Sequence, residues 1–138
     1  MRQQLVLTHA EAGRALDAMS AETTRRGKAA VLVVADAHGE VLALLRMDGA
    51  PLSSLMIAQN KAYTAARERA PSREIGRRSR EEGFPMTNFG DLRYVGWGGG
   101  IPVTVEGQVV GAVAVSGLPE TEDEEIAEIG RRAIFEVV

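Results

Sequence analysis

The sequence predicts an α/β protein of the α+β kind, a central antiparallel β-sheet flanked by α-helices, in a single domain over residues 1–138. Three observations predict it. Apolar runs from Ala29 to Ala35 and from Glu40 to Arg46 are joined by the turn residues Asp36-Ala37-His38-Gly39, a hairpin spacing. A second pair, Ile101 to Val105 and Gln108 to Val115, is joined through Glu106-Gly107. Helical periodicity precedes, separates and follows these pairs, with no strand–helix–strand alternation of the kind that builds a parallel sheet.

In chain order, Thr8 and Glu11 have capping-box spacing, so a helix should start there and run to about Arg26. Ala12, Ala15, Leu16 and Met19 form its inner stripe, and Gly27 is a natural stop. The first hairpin follows. Asp48-Gly49 is turn chemistry, and Pro51 suits the first turn of a helix from Leu52 to about Glu68. Ser72 is placed to cap a shorter helix. Its arginines, with Arg67 and Arg69, are interleaved with glutamates and read as a solvated or oligomer-facing surface. Gly83 to Asp91 is a loop that nevertheless holds Phe84 and Phe89. After the second hairpin, the last helix runs from about Thr121 to Phe135. Glu122, Asp123, Glu124 and Glu125 in its first turn complement the helix dipole.

Composition narrows the function. Net charge is −3 and the basic run is compensated, so nucleic acid is not expected as a partner. No apolar run approaches the ~20 residues of a membrane span, and no signal-peptide core follows Met1, so a cytoplasmic location is expected. Absence of cysteine excludes disulfides, thiolate metal sites and a thiol nucleophile. With two histidines, His9 and His38, a multi-histidine metal centre is not expected. His9 falls in a first helical turn and His38 at a turn tip, where exposed residues sit.

The candidate site lies around Tyr94 to Val103, which holds the sole tryptophan and the run Gly98-Gly99-Gly100. Glycines let the backbone approach a ligand closely, and Trp97 adds a flat apolar wall. The run lacks the strand–loop–helix context of a nucleotide site. Lys61 is flanked by Ile57, Ala58, Thr64 and Ala65, a small apolar surround in which a lysine anchors an acidic ligand or snorkels. A pocket is therefore expected between Arg46, Asp48, Lys61 and the loop bearing Asn88, Phe89, Trp97 and Gly98 to Gly100. Its mixture of cations and aromatics suits a carboxylate. Were it catalytic, Asp48 would move a proton, Arg46 and Lys61 would hold the acid, and Tyr63 or Asn88 would be alternative donors. The glycine amides would then hold an enolate-like oxygen.

Several motifs fall in an order that resembles the GlcG/HbpS-like family, the haem-degrading domain family. They are Val33-Val34-Ala35-Asp36 with Gly39, Arg46-Met47-Asp48-Gly49-Ala50-Pro51, Lys61-Ala62-Tyr63-Thr64-Ala65, Gly99-Gly100-Ile101-Pro102-Val103, Gly107 to Gly117, and Asp123-Glu124-Glu125-Ile126-Ala127. The resemblance covers almost the whole chain. It implies a profilin-like fold, assembly as a homodimer or larger homo-oligomer, and haem as the cofactor to consider. Where commoner members often carry a glycine-rich segment, this chain has Phe84 to Asp91.

Three functions follow as expectations. One is a binder of haem or another carboxylate-bearing small molecule. The second is an isomerase, tautomerase, hydrolase or lyase acting on a small organic acid in catabolism. The third is an oligomeric structural or regulatory partner without a small ligand. Helix association through Ala58, Ala62, Ala65 and Ala66 is the expected route to the oligomer.

Overall fold

The computed structural model describes residues 1–136. Its elements, in order, are α1 (His9–Arg25), β1 (Val31–Asp36), β2 (Val41–Arg46), α2 (Ser54–Glu68), α3 (Ser72–Glu82), a 3-10 turn (Met86–Phe89), β3 (Gly100–Val105), β4 (Gln108–Ser116) and α4 (Glu120–Ile134). The four strands form one antiparallel sheet in the order β2-β1-β4-β3. Both hairpins expected from the sequence are present, and β1 against β4 joins them.

Strand alternation sorts the core into two layers. Leu32, Val34, Val113 and Val115 face α1 and α4, where Ala12, Ala15, Met19, Ile126 and Ala127 are buried. Val31, Val33, Ala35, Ala112 and Ala114 face the opposite way, onto Ala58, Ala62, Ala65 and Ala66 of α2. That second layer is almost all small side chains, so α2 lies close on the sheet. The four alanines expected to mediate association are therefore inside the subunit, and a homo-oligomer has to use another surface.

Local chemistry accounts for the ends of the elements. The Thr8 hydroxyl accepts from the Glu11 N–H at 3.3 Å, and the Glu11 carboxylate accepts from the Thr8 N–H at 2.8 Å. Pro51 stands ahead of α2 rather than within it, its carbonyl accepting from the Ser54 N–H at 3.0 Å. Pro71, not Ser72, is the N-cap of α3. Ser72 is buried and its hydroxyl turns toward the glycine run. Arg77 and Arg78 pair with Glu74, so the charged face of α3 is compensated as its composition suggested.

Candidate functional site

Lys61 is 2% exposed, and its Nζ donates to Asp123 Oδ2 at 2.9 Å and to the Val115 carbonyl at 3.0 Å. Asp123 is 1% exposed, and its other oxygen accepts from the Leu118 N–H at 3.2 Å. Burial pushes the Asp123 carboxyl up to about 6, against the pull of the Lys61 ammonium. The glycine run closes over this pair. A Cβ on Gly99 would lie 2.8 Å from Lys61 Nζ, and one on Gly100 would lie 2.3 Å from the Lys61 carbonyl oxygen. Close backbone approach is thus the reason for the glycines, as the sequence suggested, but the neighbour is α2 and not a ligand.

Two amides of the run are engaged as well. Gly98 N–H donates to Glu120 at 3.2 Å, and Gly100 N–H donates to the Ser72 hydroxyl at 2.9 Å. Ser72 in turn donates to the Trp97 carbonyl at 2.7 Å. Two readings are corrected here. Lys61 is not a free anchor for an acidic ligand, and the Gly98 and Gly100 amides are not an open oxyanion site. The sequence pattern puts Asp123 among helix-dipole acids; its main partner in the structure is Lys61, brought from α2 by the tertiary fold.

The other expected residues do not converge on that point. Arg46 and Asp48 are exposed at the end of β2, the edge strand opposite β3 where Gly100 lies, with β1 and β4 between. Asn88 is exposed, and Trp97 is 58% exposed. Phe89 stacks on Tyr94 with centroids 4.2 Å apart, and Tyr94 meets Tyr63 edge-on at 5.4 Å. The aromatic loop therefore packs on α2 as a cluster. Tyr63 is 2% exposed; its hydroxyl donates to Asp91 and accepts from Arg93 at 2.8 Å. Burial, then the bond to Asp91, pushes the phenol up, while that same bond holds the Asp91 carboxyl below its ordinary value.

A cleft of about 410 Å³ opens beside this cluster, at the end of the sheet where both hairpins turn. The N-terminal segment supplies Arg2 and Gln4, the first hairpin Ala37 and His38, the end of α2 Ala66, Arg67 and Arg69, and the second hairpin Gly107 to Val109. Each wall is fixed. The Asp36 carboxylate accepts from the N–H groups of His38 at 2.8 Å and Glu40 at 3.1 Å, which locks the first turn. Gly39 at φ +87 presses on α2, where a Cβ would come 2.9 Å from the Tyr63 Cα. The Arg67 guanidinium lies 4.7 Å from the Tyr63 ring centroid. Arg69 caps α2 at φ 56, and Glu106 beside Gly107 has φ 50. These are the two non-glycine residues at positive φ among the described residues; Arg69 lines the cleft, and Glu106 precedes Gly107, which does.

Arg2, Arg67 and Arg69 form no ion pair among the described residues, whereas the arginines of α3 and α4 are largely paired. Guanidiniums without carboxylate partners around one concavity are chemistry for an anion, carboxylate or phosphate. The helix dipole alone favours cations at the end of α2, but it does not draw Arg2 there. A second, apolar groove of about 250 Å³ is lined by Leu5, Val6, Val105, Val110, Ile134 and Phe135 with Glu11, so it disfavours an anion. Among the described residues no group of three His, Cys, Asp or Glu is placed to hold a metal ion. No helix there is long and apolar enough to cross a membrane.

Sequence reasoning missed the cleft because four separate segments build it. One signal was present. Arg67 and Arg69 have no acid three or four residues away, whereas Arg77 and Arg78 have Glu74, Glu81 or Glu82 at those spacings.

Residues 7–132 match the model of a family described as haem degrading protein HbpS-like. Protein GlcG of Escherichia coli strain K12 is 34% identical over 122 residues, covering 84% of this chain and 85% of that one. HbpS of Streptomyces reticuli, solved as a double mutant, superposes with a TM-score of 0.88 at 30% identity, over 99% of this chain and 92% of that one. A haem complex of PduOC shares the fold with a TM-score of 0.88 at 23% identity, over 95% of this chain and 96% of that one. The chain belongs to the haem-degrading, HbpS-like family.

Proposed function

We propose that the chain binds a carboxylate-bearing small molecule in the cleft between the hairpin turns and the end of α2, with haem the first ligand to test. The observation that carries this is the convergence of Arg2, Arg67 and Arg69, all without ion-pair partners among the described residues, on one cavity of about 410 Å³. That volume is within the range of ordinary ligand sites, ~300–1,000 Å³. The carboxylates of haem, like those of smaller acids, suit these guanidiniums. The family description and the haem complex of PduOC support haem over other acids. Homo-oligomeric assembly is part of this reading, and sedimentation at micromolar concentration tests it.

Calorimetric titration of haem and of small di- and tricarboxylates tests the site. Arg67→Ala and Arg69→Ala should each weaken binding by roughly tenfold or more, the size of one lost charge-assisted hydrogen bond. Arg46→Ala should bind as wild type does. Equal affinities in all four proteins would remove the cleft. A loss confined to Arg46→Ala would return the site to the β2 end.

A further inference from the structure

We propose that the cleft takes a compact, hydroxylated polyanion, a hydroxy-polycarboxylate or the phosphate ester of a hydroxy acid, and holds it by charge and hydrogen bonds. The inference rests on the cleft being the ligand seat and narrows what that seat accepts. The chain as a whole is acidic, with 19 aspartates and glutamates against 16 lysines and arginines. Yet Arg2, Arg67 and Arg69 line this cavity, and among the described residues no aspartate or glutamate does. One guanidinium meets one carboxylate or phosphate group with two parallel N–H bonds. Three guanidiniums from two segments therefore match a ligand with more than one acidic group.

The remaining walls decide what carries those groups. The apolar side chains of the lining are Ala37, Ala66 and Val109, none larger than valine. A flat macrocycle needs broad apolar walls against its faces, and this lining does not supply them. A haem is met here at its carboxylates and not at its ring. Gln4, Gln108 and His38 complete the polar wall. Guanidiniums only donate, whereas a carboxamide or a neutral imidazole also accepts. Gln59 spends its amide on the Leu55 carbonyl at 2.8 Å, but Gln4 and Gln108 have no such partner among the described residues. The His38 backbone is pinned by the Asp36 carboxylate at 2.8 Å, and its side chain is left to the cleft. A ligand made of ionised acids alone has no proton to give these acceptors. Hydroxyl groups between the acids do.

The test is calorimetric titration of the full chain with citrate and with phosphoglycerate. Each is paired with an analogue that keeps the acids and lacks the hydroxyl, tricarballylate and phosphonobutyrate respectively. Acetate is the single-acid control, and hemin is titrated separately. Citrate or phosphoglycerate should saturate at one per chain, and the tighter of the two identifies the preferred acid. Acetate should bind roughly a hundredfold more weakly or worse, for the charge-assisted bonds it cannot make. The hydroxyl-free analogue should bind about tenfold more weakly in wild type, and the gap should close in the Gln4→Leu, Gln108→Leu double variant. Arg2 is exposed and lies ahead of α1, so Arg2→Ala keeps the fold and should weaken the bound polyanion by roughly tenfold. Acetate binding as tightly as the polyanions, no loss in Arg2→Ala, or no preference for the hydroxylated partner of a pair overturns the inference. Hemin binding that Arg67→Ala weakens, with neither citrate nor phosphoglycerate bound, overturns it too and leaves the cleft as the seat of a larger acid. No binding of any probe overturns both.

Discussion

Two cationic regions of the chain are chemically opposite. Around Lys61 the polar groups are engaged within the fold: the ammonium with Asp123 and the Val115 carbonyl, the Gly98 and Gly100 amides with Glu120 and Ser72. Around Arg67 and Arg69 the cations have no acidic partner among the described residues, and a cavity lies in front of them. Glycine and positive charge occur at both. Hydrogen-bonding capacity left unused separates a place for a ligand from a place that holds the fold together.

If that contrast is right, the largest effect of any single change falls on the closed site and on stability. Lys61→Ala leaves Asp123 buried without its cation, which costs about 3–5 kcal/mol. Replacing the pair together, Lys61→Met with Asp123→Leu, should recover most of the loss, because a buried ion pair adds little over well-packed apolar groups. Urea unfolding at about pH 8 reads both. A loss below about 1 kcal/mol in Lys61→Ala would mean that the pair behaves as a solvated one, and the two regions would no longer differ.

A smaller effect should appear with pH. Burial raises the Asp123 carboxyl from its ordinary 3.8 to about 6, so the fold favours its protonated form. Its contribution to stability is complete below the unfolded value and is lost as pH rises through about 6. Glu22 and Glu74 run the other way: arginine hydrogen bonds hold both at about 2, and their contribution is lost only as pH falls below the ordinary 4.5. Between about pH 4.5 and 6 stability should therefore fall with rising pH, by on the order of 2 kcal/mol from Asp123. Carbon NMR of the Asp123 carboxyl checks the midpoint, and Asp123→Asn should flatten this part of the profile. A midpoint near 4 would sink the prediction.

Legibility in the sequence follows the same division. The sheet, both hairpins and the capped first helix were legible because local pattern fixes them: alternation, turn residues, and Thr8 three residues before Glu11. Lys61 and the glycine run were rightly marked as unusual, but marked for a ligand. What they share is proximity to each other, and proximity between α2, β3 and α4 is a tertiary fact. His38 was correctly placed on an exposed turn; that Arg2 and the end of α2 meet it there depends on the fold of four segments. The acid-free spacing around Arg67 and Arg69 was the one local trace of that meeting.

The smallest effect should be the most discriminating, because stability and binding should move in opposite directions. Arg69 ends α2 in the left-handed region, at φ 56 and ψ 36, a conformation that glycine adopts freely and an arginine does not. At an ordinary helix end Arg69→Gly relieves that strain, and stability should rise by up to about 1 kcal/mol. The change also removes one of the cations facing the cleft, so a carboxylate ligand should bind roughly tenfold more weakly. A purely structural Arg69 predicts the first result without the second. A guanidinium needed to hold the helix end predicts a loss of stability and no change in binding. Thermal unfolding together with hemin titration on the same protein separates the three cases, and only a gain of stability with a loss of affinity fits a strained residue kept for its charge at the cleft.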